Sequence, residues 1–275
     1  MAGHEVIAID LGGTHLRTAL VRNYKIIKYL KKGTPKKQKD LLYELTDSIS
    51  QLMTPSVRGI GVASPGPLKD GIIMNTPNLP FKTFNLKKFL KKKFNTKVEV
   101  INDADSVAIA EAKLGSKKQH IVVFTLGTGI GGGIIINNEL FRGAGYGGEP
   151  GHVILDNGRD MEDLWKDHRR FSEVYYGEIK LVNDLFKIKD KKARQILENT
   201  AMYLGQGIAS IINVLDPEII ILSGGVKETG DKFLKMIKKN TYPHVIIPKK
   251  TPIKWTGLAH PGILGAAWKV QNAKE

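Results

Sequence analysis

IVVFTLGTGIGGGIII, residues 121–136, is the stretch whose reading decides the fold. Apolar, largely β-branched residues run into a turn of glycine and threonine. A second β-branched run, Ile134, Ile135 and Ile136, leaves it and ends at the turn pair Asn137-Asn138, so the spacing predicts strand, glycine turn, strand. Glycines at 127, 129, 131, 132 and 133 remove the side chains that would keep an anion off the backbone. Successive N–H groups can then form a concave nest for phosphate, with Thr128 adding a hydroxyl. Gly127, Gly129 and Gly132 also fit the G-x-G-x-x-G spacing of dinucleotide-binding proteins, but that fingerprint opens a helix, and here a strand follows. The competing structural reading is that the glycines let two sheets approach closely.

A second copy decides for the phosphate turn. Residues 6–21, VIAIDLGGTHLRTALV, repeat the layout: apolar strand, the turn DLGGT at 10–14, and a returning strand. Asp10-Leu11-Gly12 lies over Thr125-Leu126-Gly127. Two such hairpins predict two related halves, each presenting a phosphate-binding turn to a cleft between them. Only the first turn carries a carboxylate. One carboxylate together with substrate phosphates is the usual protein share of a magnesium site, which makes Asp10 the metal candidate.

A chain of 275 residues, 41% of them hydrophobic, can form two domains with real cores. The first residues show no basic region followed by an apolar stretch, and no apolar run reaches the length of a membrane span. A soluble cytoplasmic protein with no membrane partner is expected. The absence of cysteine excludes disulfides, thiolate nucleophiles and cysteine-ligated zinc. A net charge of +15 invites a nucleic-acid reading, yet only eight of the 42 basic residues are Arg, and they are scattered. The lysines gather at 87–97, 187–194 and 235–250, interleaved with apolar residues as on the solvated faces of amphipathic elements. No specific nucleic-acid partner is expected, although the same field attracts any polyanionic substrate.

Along the chain, residues 40–53 read as a helix with Leu41, Leu42, Leu45, Ile49, Leu52 and Met53 on one inward face. Residues 57–63 read as a buried strand running into Ser64-Pro65-Gly66-Pro67, a rigid loop that continues through Asn75-Thr76-Pro77-Asn78-Leu79-Pro80. The Asn78 amide can bond hydroxyls, or the loop can be a plain connector. After a Lys-rich helix at 84–94 and a strand at 97–101 comes Asn102-Asp103-Ala104-Asp105. Two carboxylates and an amide exceed what a helix cap needs. A carboxylate at the C-terminal edge of a strand faces the crevice where open α/β sheets bind ligands, so one of them is a catalytic candidate. Glu149 and His152, three apart in a glycine-rich loop, can bond one small ligand. Residues 196–215 form the strongest helix, and Ser223-Gly224-Gly225-Val226 after a buried strand has the form of a nucleotide-contacting strand-to-helix turn. Pro261-Gly262 opens a last helix.

DLGGT (10–14), SPGPL with NTPNLP (64–80), NDAD (102–105), TLGTGIGGG (125–133), GEPGH (148–152) and LSGGV (222–226) together resemble the ROK family of sugar kinases, within the actin-like ATPase superfamily, over nearly the whole chain. The resemblance implies an α/β fold of two RNase-H-like domains with a cleft between them, at 1–104 plus 260–275 and at 105–259. It implies that Asp103 takes the proton from a sugar hydroxyl. Asn78, Asn102, Asp103, Glu149 and His152 match sugar-binding positions, and Glu162 matches a further sugar carboxylate. Gly12, Gly13, Thr14, Thr128, Gly129 and Gly225 match nucleotide-contacting positions, with Asp10 near magnesium, bound through water. The expected activity is transfer of phosphate from ATP with magnesium to a hexose, at the 6-hydroxyl of glucose. N-acetylhexosamine or fructose as acceptor, or polyphosphate as donor, are the alternatives, and a homodimer stays open. Many members bind zinc through the histidine of GxxGH and three cysteines. Here residues 155–161, LDNGRDM, replace that segment, so no zinc is expected. A sugar-responsive regulator of the same family would need a DNA-binding domain before the first hairpin, which already begins at Val6. An actin-like ATPase with no small acceptor would not need the NDAD and GEPGH motifs.

Overall fold

The computed structural model describes residues 5–273, which divide into two compact α/β units. Of the described residues, the first comprises 5–117, 143–146 and 258–273. Its chain runs β1 (Glu5–Leu11), β2 (His15–Arg22), β3 (Lys25–Gly33), α1 (Gln38–Leu52), β4 (Val57–Ser64), the short strands β5 (Leu68–Lys69), β6 (Ile72–Met74) and β7 (Thr83–Asn85), α2 (Leu86–Phe94), β8 (Lys97–Asn102) and α3 (Asp103–Lys113). The main sheet has the order β3-β2-β1-β4-β8. The first predicted hairpin is present as the antiparallel β1/β2 pair, and β4 joins β1 in parallel.

Period-2 alternation on β1 serves two cores at once. Ile7, Ile9 and Leu11 point into a cluster with Leu41, Leu45 and Ile49 of α1 and Leu86 and Leu90 of α2. Val6 and Ala8 face Ile263, Ala266, Ala267 and Val270 of the C-terminal helix Pro261–Asn272, α8 in chain order. The small residues on that second face allow unusually close approach. A Cβ on Gly61 would overlap the Ala266 carbonyl, and one on Gly265 would overlap the Ser106 carbonyl of α3. Ser106 Oγ donates to Gly262 O at 2.7 Å.

The second unit holds Lys118–Arg142 and Gly147–Gly257. Its elements are β9 (Ile121–Leu126), β10 (Ile130–Ile136), β11 (Glu139–Leu140), β12 (Ile154–Asp156), β13 (Arg159–Asp160), α4 (Met161–Tyr176), α5 (Val182–Leu185), α6 (Lys191–Leu215), β14 (Ile219–Ser223), α7 (Asp231–Thr241) and β15 (Ile253–Trp255). Its sheet order, β11-β10-β9-β14-β15, repeats that of the first unit strand for strand. The β9/β10 hairpin is antiparallel and β14 joins β9 in parallel. Phe124, Trp165, Leu204, Ile208, Ile212, Phe233 and Ile237 fill its core.

The break between units falls after Lys117 rather than between residues 104 and 105, which lie inside α3. Ala104 through Ala112 of α3 are all buried. Because its contacts run to α8, far away in sequence, the helix stays with the first unit. The three-stranded sheet β5-β6-β7 forms within the loop expected over residues 64–80 and, at β7, over the start of the helix expected at 84–94.

Backbone-to-backbone contact at Gly265 leaves no room to adjust, so Gly265→Ala should cost about 3 kcal/mol and lower Tm by roughly 6 °C or more. Gly33 has open space where its Cβ would stand, and Gly33→Ala should leave Tm within about 2 °C of the parent in the same calorimetric scan.

Candidate functional site

In the first unit, Asp10 lies opposite Arg17 in the β1/β2 register, and Arg17 Nη1 donates to Asp10 Oδ2 at 2.9 Å. The start of α8 approaches the same carboxylate, since a Cβ on Gly262 would stand 3.5 Å from Asp10 Cγ. Burial raises the Asp10 carboxyl pKa, and the Arg17 guanidinium pulls against that rise. The turn that follows is fixed from outside: Thr34 Oγ1 donates to Gly12 O at 2.6 Å and Lys36 Nζ to Gly13 O at 3.0 Å. Thr14 is exposed at its tip. Asn78, also exposed, comes against Gly13, whose Cβ would lie 2.9 Å from that of Asn78.

Strand β8 ends at Asn102, which caps α3 by accepting from the amides of Ala104 at 2.9 Å and Asp105 at 3.1 Å. Asp103 is the first residue of α3, partly exposed, and its Oδ1 accepts from Ala104 N at 2.9 Å. The capping duty therefore falls mainly on Asn102, and the Asp103 carboxylate stands at the N-terminus of α3.

In the second unit the glycine turn rests on α4. Trp165 Nε1 donates to Gly127 O at 3.1 Å, and Ile130 N donates to Glu162 Oε2 at 2.7 Å. Lys166 Nζ, one helical turn on, pairs with Glu162 Oε1 at 2.5 Å. A Cβ on Gly129 would overlap the Glu162 carboxylate, one on Gly132 would overlap Pro150, and one on Gly151 would overlap the Ile130 carbonyl. Neither glycine turn contains a residue in the left-handed region. The nest expected from the glycine run is therefore corrected. Gly129 and Gly132 are glycine because other groups approach them closely, and the accessible backbone is Gly127-Thr128, both exposed. Gly225 has open space at its Cβ, but the segment Gly225–Thr229 is a 3-10 turn and α7 begins only at Asp231. The strand therefore turns at Gly224 into a short 3-10 helix before α7.

Glu149, His152, Asp160 and Glu162 form one electrostatic group. Desolvation raises the Glu149 carboxyl; the charges of His152 and Arg142 lower it, and that of Glu162 raises it further. His152 Nδ1 and Asp160 Oδ2 are 2.7 Å apart, which raises the imidazole pKa. Burial works to raise the Asp160 carboxyl, but the hydrogen bonds from His152 and the Asp163 amide outweigh it and leave it lowered.

Sequence reasoning did not find Arg17, Thr34, Lys36 or Asp160. For Arg17 the signal was available in the hairpin register. The face shared by Glu162, Trp165 and Lys166 was available as i, i+3, i+4 spacing.

Trp165→Phe keeps most of the buried ring but removes the donor to Gly127. It should cost about 1–2 kcal/mol in stability by denaturant titration. His168, buried with Nδ1 2.6 Å from Trp165 O, has its pKa pushed down to about 4 by desolvation. It stays neutral in the fold while the unfolded chain takes up a proton near pH 6.5, so stability is full above pH 6.5 and falls as pH drops towards 4. The loss is on the order of 3 kcal/mol. In His168→Asn that acid-side slope should become shallower by the same amount.

The ROK family profile matches residues 6–169 and 169–273. Among curated relatives, the Xylose repressor of Bacillus spizizenii is 32% identical over 237 residues, covering 79% of this chain and 62% of that protein. The chain therefore spans less than two thirds of that relative. The Glucokinase of Halalkalibacterium halodurans is 27% identical over 319 residues of alignment, covering 99% of this chain and 96% of that protein. The crystal structure of the ROK hexokinase from Thermus thermophilus superposes with a TM-score of 0.84 at 26% identity, over 97% of this chain and 98% of that one. With two α/β units built on the same strand order and a family match along nearly its whole described length, this chain belongs to the ROK family.

Proposed function

We propose that the chain is an ATP- and magnesium-dependent hexose kinase, with the 6-hydroxyl of glucose as its first-choice acceptor. The observation that most supports this is the junction of β8 and α3. A carboxylate stands there next to an asparagine that already performs the capping, so Asp103 is held rigidly and partly exposed with a charge the helix end does not require. In this reading Asp103 orients and deprotonates the acceptor hydroxyl. Asn78, Asn102, Glu149 and His152 bind the sugar. Glu162 has both oxygens engaged, but each carboxylate oxygen accepts more than one hydrogen bond, so it retains capacity for a sugar hydroxyl. Gly12, Gly13, Thr14, Thr128, Gly129 and Gly225 contact the nucleotide. Asp10 is the carboxylate carried by the first glycine turn itself, and one carboxylate suits an ion held chiefly by phosphate oxygens and water. When bound, magnesium would neutralise charge on the transferring phosphates. Because phosphoryl transfer depends on positioning and electrostatics, these fixed groups supply what the chemistry needs.

A second reading is favoured by one observation, the 32% identity to a xylose repressor. In it, the same sugar-binding residues serve a regulator with no turnover. N-acetylhexosamines or fructose as acceptors, and polyphosphate as donor, remain variants of the first.

The test is a coupled ADP assay over a panel of hexoses and pentoses, with sugar binding measured in parallel by calorimetry. Sugar-dependent ADP release supports the kinase, and binding without release supports the regulator. Asp103→Asn should lower kcat by about 100- to 10,000-fold while sugar still binds. Activity within tenfold of the parent would remove Asp103 from the role of base.

A further inference from the structure

His152 and Asp160 are brought together by a short hairpin. β12 and β13 turn at Asn157 and Gly158, whose backbones are left-handed at φ 45° and 80°, the combination a two-residue hairpin turn demands. The register then places Asp160 opposite Ile154, two residues beyond His152. Asp160 uses both oxygens. Oδ1 accepts from Asp163 N at 2.7 Å and caps α4, while Oδ2 meets His152 Nδ1 at 2.7 Å. Val153 O accepts from Met161 N at 3.0 Å and secures the same junction. An ionised carboxylate only accepts, so Nδ1 carries the hydrogen and the ring orientation is set.

The residues here do not fit the zinc that the resemblance attaches to this histidine. The chain has no cysteine, and among the described residues no group of three or more His, Cys, Asp or Glu side chains is arranged to hold a metal ion. The nitrogen nearest the α4 junction is already bonded to Asp160. We propose that Asp160 takes the place of a structural metal at this point: it ties the GEPGH loop to the start of α4 and presents the remaining ring nitrogen, Nε2, of a half-exposed His152 to the sugar. Asp160 is thus a positioning residue, and its effect on catalysis rests on the sugar-binding role proposed for His152. One carboxylate fixes both the imidazole and the helix that carries Glu162 and Trp165 to the glycine turn.

Asp160→Asn separates the two duties, because an amide oxygen still caps α4 but the negative charge beside the imidazole is gone. Asp160→Ala removes both. Three measurements on the full chain decide the matter. In nitrogen-15 histidine spectra at one fixed pH, with His152→Gln identifying the signal, the parent should show His152 protonated at Nδ1, and Asp160→Asn should shift the ring towards the Nε2-protonated form. In the coupled assay, Asp160→Asn should raise the sugar KM about tenfold or more with kcat within about threefold and nucleotide KM unchanged. Added zinc should not raise the parent's Tm. Parent-like ring signals together with a sugar KM within twofold in Asp160→Asn would overturn the proposal, as would a saturable rise in Tm with one zinc per chain. If the parent turns over no sugar, the kinase reading fails separately, and the ring signals alone decide whether Asp160 holds His152.

Discussion

A missing Cβ at Gly129 lets the Glu162 carboxylate come against the second glycine turn, and much of the unit's functional geometry depends on that contact. The carboxylate accepts from the Ile130 amide, a donor at the head of β10 that would otherwise need water or a strand partner. Lys166 balances the charge from one turn further along α4, and the Trp165 indole holds the Gly127 carbonyl. Two side chains on one helical face thus hold the turn at both ends, and a third, Lys166, braces one of them. The start of α4 becomes as consequential as the turn itself, and Asp160 determines where that start lies.

The duplicated frame was legible in the sequence because its signals are local. DLGGT and TLGTG each sit between β-branched runs, and in the structure each run is a strand paired as expected, with the later parallel strand on the same side. What was not legible depended on partners remote in sequence. β3 carries lysines at 25, 28, 31 and 32 and lacks a regular apolar alternation, yet it pairs along the whole of β2. The resemblance put the domain boundary inside α3, whose four alanines do not by themselves say what they pack against. Small residues are ambiguous until their neighbour is known, and the neighbour is α8 from the far end of the chain.

The same ambiguity applied to the glycines of the site. A run of them can mean freedom of backbone conformation, access for a ligand, or room for another part of the protein. Residues 127–133 contain the last two side by side. Gly127 faces open space, while Gly129 and Gly132 are backed by Glu162 and Pro150. Spacing alone cannot separate these, because the approaching groups come from residues 150 and 162. Asp103 was easier to single out, because an amide and two carboxylates in four residues exceed the needs of a helix end. Asn102 does take the capping duty.

The two copies differ most in charge. Asp10 faces Arg17 across the first hairpin and Ala63 on the parallel side, whereas Thr125, its counterpart, faces Gly131 and Ser223. The first copy therefore offers an anion paired with a cation, and the second offers backbone and hydroxyl groups with no formal charge at those positions. A second carboxylate at 125 would repel the phosphate chain that a glycine turn is suited to receive. A single carboxylate, already balanced by Arg17, can share a divalent cation with phosphates without adding much net negative charge. Under the kinase reading, the frame is repeated strand for strand while only one copy's turn carries a carboxylate, which divides the work between a cation-holding turn and an uncharged phosphate-facing one.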